Sequence, residues 1–171
     1  AQAPLTWAEN VSGHLADLGH SVAGQAHGVA DRTTDLVTTA MGFLGVPYRR
    51  GGTSAETGFD CSGFVRSIFE QTRGLVLPRK AADQARSTEK IDKKDLQPGD
   101  LVFFNTMRRT FSHVGIYIGD GKFIHSPRSG LRVRVEDMQG SYWKKRFNGA
   151  RRVVGGGTDL AAALTETPAL R

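Results

Sequence analysis

The chain has a single cysteine in 171 residues, so no internal disulfide can staple the fold. No apolar run approaches the length of a bilayer-crossing helix, and no transmembrane segment is expected. A Cys-x-x-Cys pair, a His-Glu-x-x-His helix and any tight ligand spacing are missing. Structural zinc takes four protein ligands and catalytic zinc three with an open position, so a metal site is disfavoured and no cofactor is expected. There is no internal repeat and no nucleic-acid recognition motif, so nucleic acid is not expected as a partner. The chain opens Ala1-Gln2-Ala3-Pro4, without a basic start followed by an apolar stretch. That is not a signal peptide, and it suits a mature end left after one has been removed.

What is present is ordinary in amount and uneven in placement. The length suits one domain with short extensions, and a monomer is expected. Lysine and arginine total 23 against 17 aspartates and glutamates, for a net charge of +6 and a pI near 9.8. Such a surface attracts polyanions or a carboxylate-rich polymer. For any single lysine or arginine, a solvated basic face is the better account.

Cys61 is the candidate nucleophile. It sits in Phe59-Asp60-Cys61-Ser62-Gly63-Phe64-Val65, approached by Gly51, Gly52 and Gly58 and followed by apolar Phe64, Val65, Ile68 and Phe69. This predicts a thiol in the first turn of a helix, where free N–H groups and the helix dipole favour thiolate. The same local context fits a buried structural thiol equally well. Downstream, Ser112-His113-Val114-Gly115-Ile116-Tyr117-Ile118-Gly119 reads as a strand headed by a histidine. Asp120-Gly121 is a hairpin turn, and Lys122-Phe123-Ile124-His125 returns with a second histidine near its end. Both histidines then lie away from the turn, within reach of each other if a bulge or stagger intervenes. A cysteine nucleophile needs an imidazole base, and that base needs a polar group to orient it. Cys61, His113 and His125 supply such a set in that order.

The remaining layout is α+β. Residues 1–33 form an N-terminal extension with a helical stripe of Val11, Leu15, Leu18, Val22, Ala26 and Val29, weakened by several glycines. Its histidines, His14, His20 and His27, are too widely spaced for one ligand set. A helix is expected over 34–44 with Gly45 and Pro47 as stop signals, then one over 61–73 ending at Gly74 and a short one over 80–86. Strands are expected near 101–105, 113–118, 122–125, 131–135 and 150–154. The main domain is drawn at 34–154, with a flexible tail over 155–171 opened by Gly155-Gly156-Gly157.

Several motifs, in one order, resemble the NlpC-type cell-wall cysteine peptidases. They are Gly45-Val46-Pro47-Tyr48-Arg49-Arg50-Gly51-Gly52, the Cys61 motif, Leu77-Pro78-Arg79, Asp95-Leu96-Gln97-Pro98-Gly99-Asp100-Leu101-Val102-Phe103-Phe104, the His113 and His125 strands, and Tyr142-Trp143-Lys144-Lys145-Arg146-Phe147. The resemblance implies a papain-like core with N-terminal helices packed on an antiparallel sheet. It implies Cys61 as nucleophile, His113 as base and His125 as orienter, with Tyr48 beside the thiol and Asp60 and Ser62 holding substrate. It implies an exported hydrolase of the periplasm or cell envelope. The implied substrate is peptidoglycan stem peptide, cut between D-glutamate, through its γ-carboxyl, and a diamino acid such as meso-diaminopimelate. The rival readings are an amidase or acyltransferase on the same thiol core, and a non-catalytic wall-binding protein. Arg50 and Phe111 depart from the family's pattern.

Overall fold

The computed structural model describes residues 32–155. The helical stripe and three histidines expected before residue 32, and the tail after Gly155, lie outside the described residues.

The first helix, α1, covers residues 32–41 and buries Leu36 and Ala40, which lie on one face because they are four apart. It stops short of the expected residue 44. Gly42, a poor helix former, begins a turn that runs to Gly45, whose φ of +89° reverses the chain. A short antiparallel hairpin follows, β1 (Thr53–Ser54) and β2 (Gly58–Phe59). β2 leads directly into α2 (Cys61–Arg73), which ends at Gly74 in the left-handed conformation. Phe64, Val65, Ile68 and Phe69 are fully buried on one stripe of α2, each contributing about 1.5–3 kcal/mol of apolar burial. α3 (Ala81–Arg86) is tied to α2 by Gln84, whose Nε2 donates to the carbonyls of Ser62 (3.0 Å) and Pro78 (2.9 Å).

The rest of the chain builds a sheet. β3 (Glu89–Ile91), β4 (Leu101–Phe104), β5 (His113–Gly119), β6 (Lys122–His125), β7 (Arg134–Asp137) and β8 (Phe147–Arg152) lie in the order β3-β8-β4-β5-β6-β7, with every neighbouring pair antiparallel. All of β4 is buried, and its sequence does not alternate because both faces are covered. Phe103, Val114, Ile116 and Ile124 join the α2 side of the core. Val102, Phe104, Phe123 and Met138 form a second cluster on the opposite face. Trp143, from α4 (Ser141–Arg146), and Phe147 pack against that cluster. No helix among the described residues is long and apolar enough to cross a membrane.

Besides the shorter α1 and the β1–β2 hairpin, which was not expected, the sheet and its flanks differ from the sequence reading in further places. The strand expected near 131–135 begins at Arg134, because residues 131–133 pair instead with the stretch after α1. There Val133 N donates to Val46 O (2.8 Å) and Tyr48 N to Leu131 O (3.0 Å). β3 is a short charged edge strand, the kind that apolar alternation does not reveal. α4 is only six residues long, too short for a helical period to stand out, and β8 starts at Phe147 immediately after it.

Candidate active site

Cys61 is the first residue of α2, and Asp60 is its N-cap, accepting a bond from Gly63 N at 2.7 Å. The approach loop runs very close over this turn. A Cβ on Gly63 would lie 2.1 Å from the carbonyl oxygen of Gly52, so glycine at 63 is a spatial requirement. Asp60 N donates to that same Gly52 oxygen at 3.1 Å. Arg79, from the loop before α3, forks onto the Asp60 carboxylate (2.9 and 2.7 Å) and reaches Ser62 Oγ at 3.0 Å. Tyr48 forms a single parallel bridge with Phe59. Burial, and then the nearby Cys61 and Asp60 charges, raise the pKa of its phenol. Cys61, Asp60, Ser62 and Tyr48 are therefore one neighbourhood.

The Cys61 sulfur is 4.0 Å from the Ser112 carbonyl oxygen and also meets the backbone N–H of Val114. It thus lies against the chain on both sides of His113. Cys61 keeps part of its surface open. Burial nevertheless pushes the thiol up to about 11, against the lowering effect of N–H groups at Val114 and Ser62. The helix start alone predicts the opposite direction; here desolvation is the larger influence, and the resting sulfur keeps its proton.

The histidines belong to the second face of the sheet. The turn at Asp120-Gly121 has positive φ at both positions (54° and 72°), which suits the twist of a tight hairpin. The expected irregularity is present as a register shift between Tyr117 and Gly119. His113 Nε2 and His125 Nδ1 are 2.7 Å apart, and the two residues are 3% and 0% exposed. Gly115 makes room for this pair: a Cβ there would lie 2.7 Å from Phe123 Cδ2 and 3.2 Å from His125 Cβ. Trp143 stacks on His113 (5.7 Å, 29°) and meets His125 edge-on (5.0 Å, 89°), while Phe104 packs near His113 and Phe123 near His125. Burial, then the facing His125, lowers the His113 pKa well below 6.5; burial also lowers that of His125. Burial thus favours the neutral form of both rings.

Three partners escaped the sequence reading. Glu136 on β7 bonds His125 Nε2 through Oε2 and takes Arg134 Nη2 at 2.7 Å on Oε1. Trp143 and Arg79 stand in sequence motifs that by themselves show no contact for either. The available signal for Glu136 was its spacing of two from Arg134 on a strand, which puts both on one face. Among the described residues, no group of three or more His, Cys, Asp or Glu side chains is placed to hold a metal ion.

A thiol at the head of a helix, laid against an antiparallel sheet that carries a buried histidine pair, defines a papain-like α+β domain. The chain belongs to the NlpC/P60 family, whose model matches residues 45–152. It is 40% identical over 146 residues to the murein DD-endopeptidase MepH of Escherichia coli (strain K12), covering 84% of this chain and 52% of that one. It is 42% identical over 118 residues to the gamma-DL-glutamyl hydrolase of Bacillus subtilis (strain 168), covering 68% of this chain and 28% of the other. Among solved structures, an NlpC/P60 family protein from Bacillus cereus ATCC 10987 superposes with a TM-score of 0.67 at 40% identity, over 72% of this chain and 40% of that one. The chain thus spans about half the length of the first relative and less of the other two.

Proposed function

We propose that this protein is a cysteine peptidase that hydrolyses peptidoglycan stem peptides outside the cytoplasmic membrane. The observation that carries the proposal is the buried His113–His125 pair, bonded at 2.7 Å, at the strand head against which the Cys61 sulfur lies. His113 Nε2 is engaged by His125, so Nδ1 is the ring nitrogen left to serve the thiol. It takes the Cys61 proton as sulfur attacks the scissile carbonyl, then returns it to the leaving amine. Water, activated by the same nitrogen, releases the acyl group from sulfur. The Cys61 backbone N–H, unpaired within the helix at its first position, and the Tyr48 hydroxyl stabilise the oxyanion. Asp60, Ser62 and Arg79 form the polar wall beside the thiol that holds substrate.

The bond assigned is the γ-D-glutamyl link to the diamino acid, in line with the gamma-DL-glutamyl hydrolase relative. The MepH likeness extends over more of this chain and favours a second reading, a DD-endopeptidase cut in murein. Mass spectrometry of digested sacculi separates the two by the fragments released. A new free amine paired with a new carboxylate marks hydrolysis, and a transferred acyl group marks an acyltransferase. No new fragment from sacculi or soluble stem peptides would refute the peptidase reading and leave a wall-binding protein.

A further inference from the structure

Glu136 has no place in the motifs that carry the family resemblance, yet it closes a chain of hydrogen bonds that begins at the proposed base. We propose that Glu136 is a positioning residue: acting through His125, it holds His113 in the tautomer whose proton is on Nε2 and whose Nδ1 lone pair is bare. The inference rests on the peptidase reading above for its consequence in catalysis.

The geometry runs along the strands. His125 pairs with Arg134 across β6 and β7, so Glu136 lies two residues on along the same face and reaches the His125 ring diagonally. Burial would raise the Glu136 pKa. The bonds from His125 and Arg134 outweigh burial and bring it to about 2, so the group is a carboxylate. A carboxylate only accepts, so His125 Nε2 must carry a hydrogen. Neutral imidazole has one N–H, so His125 Nδ1 is an acceptor. The atom facing it at 2.7 Å, His113 Nε2, must then be the donor. His113 is neutral too, so its Nδ1 has no hydrogen. One ionised oxygen thus sets two rings in sequence. The walls around them are Phe104, Phe123 and Trp143, which offer no acceptor to compete. The charged groups facing the pair are Glu136 and Arg134.

The same chain predicts how acid switches the site off. A proton added to His125 makes it a donor at both nitrogens. His113 must then accept at Nε2 and hold its own hydrogen at Nδ1, where the base is needed. The Glu136 charge raises both histidine pKa values, so its removal should make each ring harder to protonate.

Long-range ¹H–¹⁵N NMR of the full chain at neutral pH reads the tautomers directly. Nε2–H on both His113 and His125 is expected, and Nδ1–H on His113 would overturn the proposal without any variant. Glu136→Ala should lower kcat on a soluble stem peptide about tenfold or more, with KM changed less than about twofold. For scale, loss of tautomer control in a hydrolase triad costs roughly 10⁴-fold. Glu136→Gln, whose carbonyl can still accept from His125, should regain most of that rate. Its acid limb should move to lower pH, a shift that a purely structural role for Glu136 would not produce. A wild-type rate and an unmoved acid limb in Glu136→Ala would also overturn the proposal. If the unmodified protein cleaves no stem peptide, the peptidase reading fails, and the NMR tautomers still decide this one.

Discussion

The head of α2 and the face formed by β5, β6 and β7 hold their functional groups by opposite means. Cys61 is set by polar bonds: an Asp60 cap, an Arg79 fork and a glycine-lined loop. His113 and His125 are set by burial among aromatic rings, with one line of hydrogen bonds running out to Glu136. On the first side, the Cys61 sulfur, the proposed nucleophile, can be removed without emptying the core. On the second, every functional side chain is also a packing element, so loss of chemistry and loss of stability come together.

The largest expected effect tests the first half of that contrast. Cys61→Ala should abolish hydrolysis while leaving the thermal unfolding midpoint close to that of the parent. Wild-type turnover in this variant would remove the thiol from the mechanism. Next comes the opposite side. His113→Ala should cost on the order of 10²-fold or more in kcat/KM. It should also lower the unfolding midpoint, because Trp143 loses the ring it stacks on. An inactive variant of unchanged stability would break the contrast. Third, His125→Ala should lose less activity than His113→Ala and about 2 kcal/mol of stability, from the cavity left by a fully buried ring. His125→Asn should retain more activity than the alanine variant, since its amide oxygen can still accept from His113. Equal rates in the two His125 variants would show that no acceptor is needed there. The smallest effect returns to α2. Asp60→Ala should cost about 1 kcal/mol through the lost cap, measured by denaturant unfolding. Asp60→Asn should recover most of that because it still caps, and the remaining difference reports the Arg79 pair.

The two sides also differ in how much could be read before the structure. The Cys61 helix was legible from its apolar stripe and terminal Gly74, both local in sequence, while the Asp60 cap came only with the structure. The β5–β6 hairpin was legible because Asp120-Gly121 announces its turn. Glu136 was not, because its bond to His125 depends on the β6–β7 register. Residues 131–133, which lead into β7, pair with the stretch after α1, a contact no local pattern encodes. Trp143 was hidden for a related reason: the six residues of α4 carry no periodicity, and their burial partner is another strand's aromatic ring. The raised Cys61 pKa also ran against the local signal, because helix position is a one-dimensional property and desolvation is not.

Cys61, His113, His125 and Glu136 enter from α2, β5, β6 and β7, and the strands meet only when the antiparallel ladder has closed. The histidine pair and its Glu136 bond span only 12 and 11 residues, whereas Cys61 meets Ser112 across 51. So long a closure carries the larger loop-closure cost and forms late compared with a helix turn or a hairpin. Until then the molecule is a peptide bearing an ordinary thiol, with no base tied to it. Under the proposed mechanism, hydrolysis therefore reports completed assembly. If the chain is the proposed peptidase, a nascent or partly unfolded copy would be a harmless passenger, and recovery of turnover after refolding would time the docking of Cys61 against the head of β5.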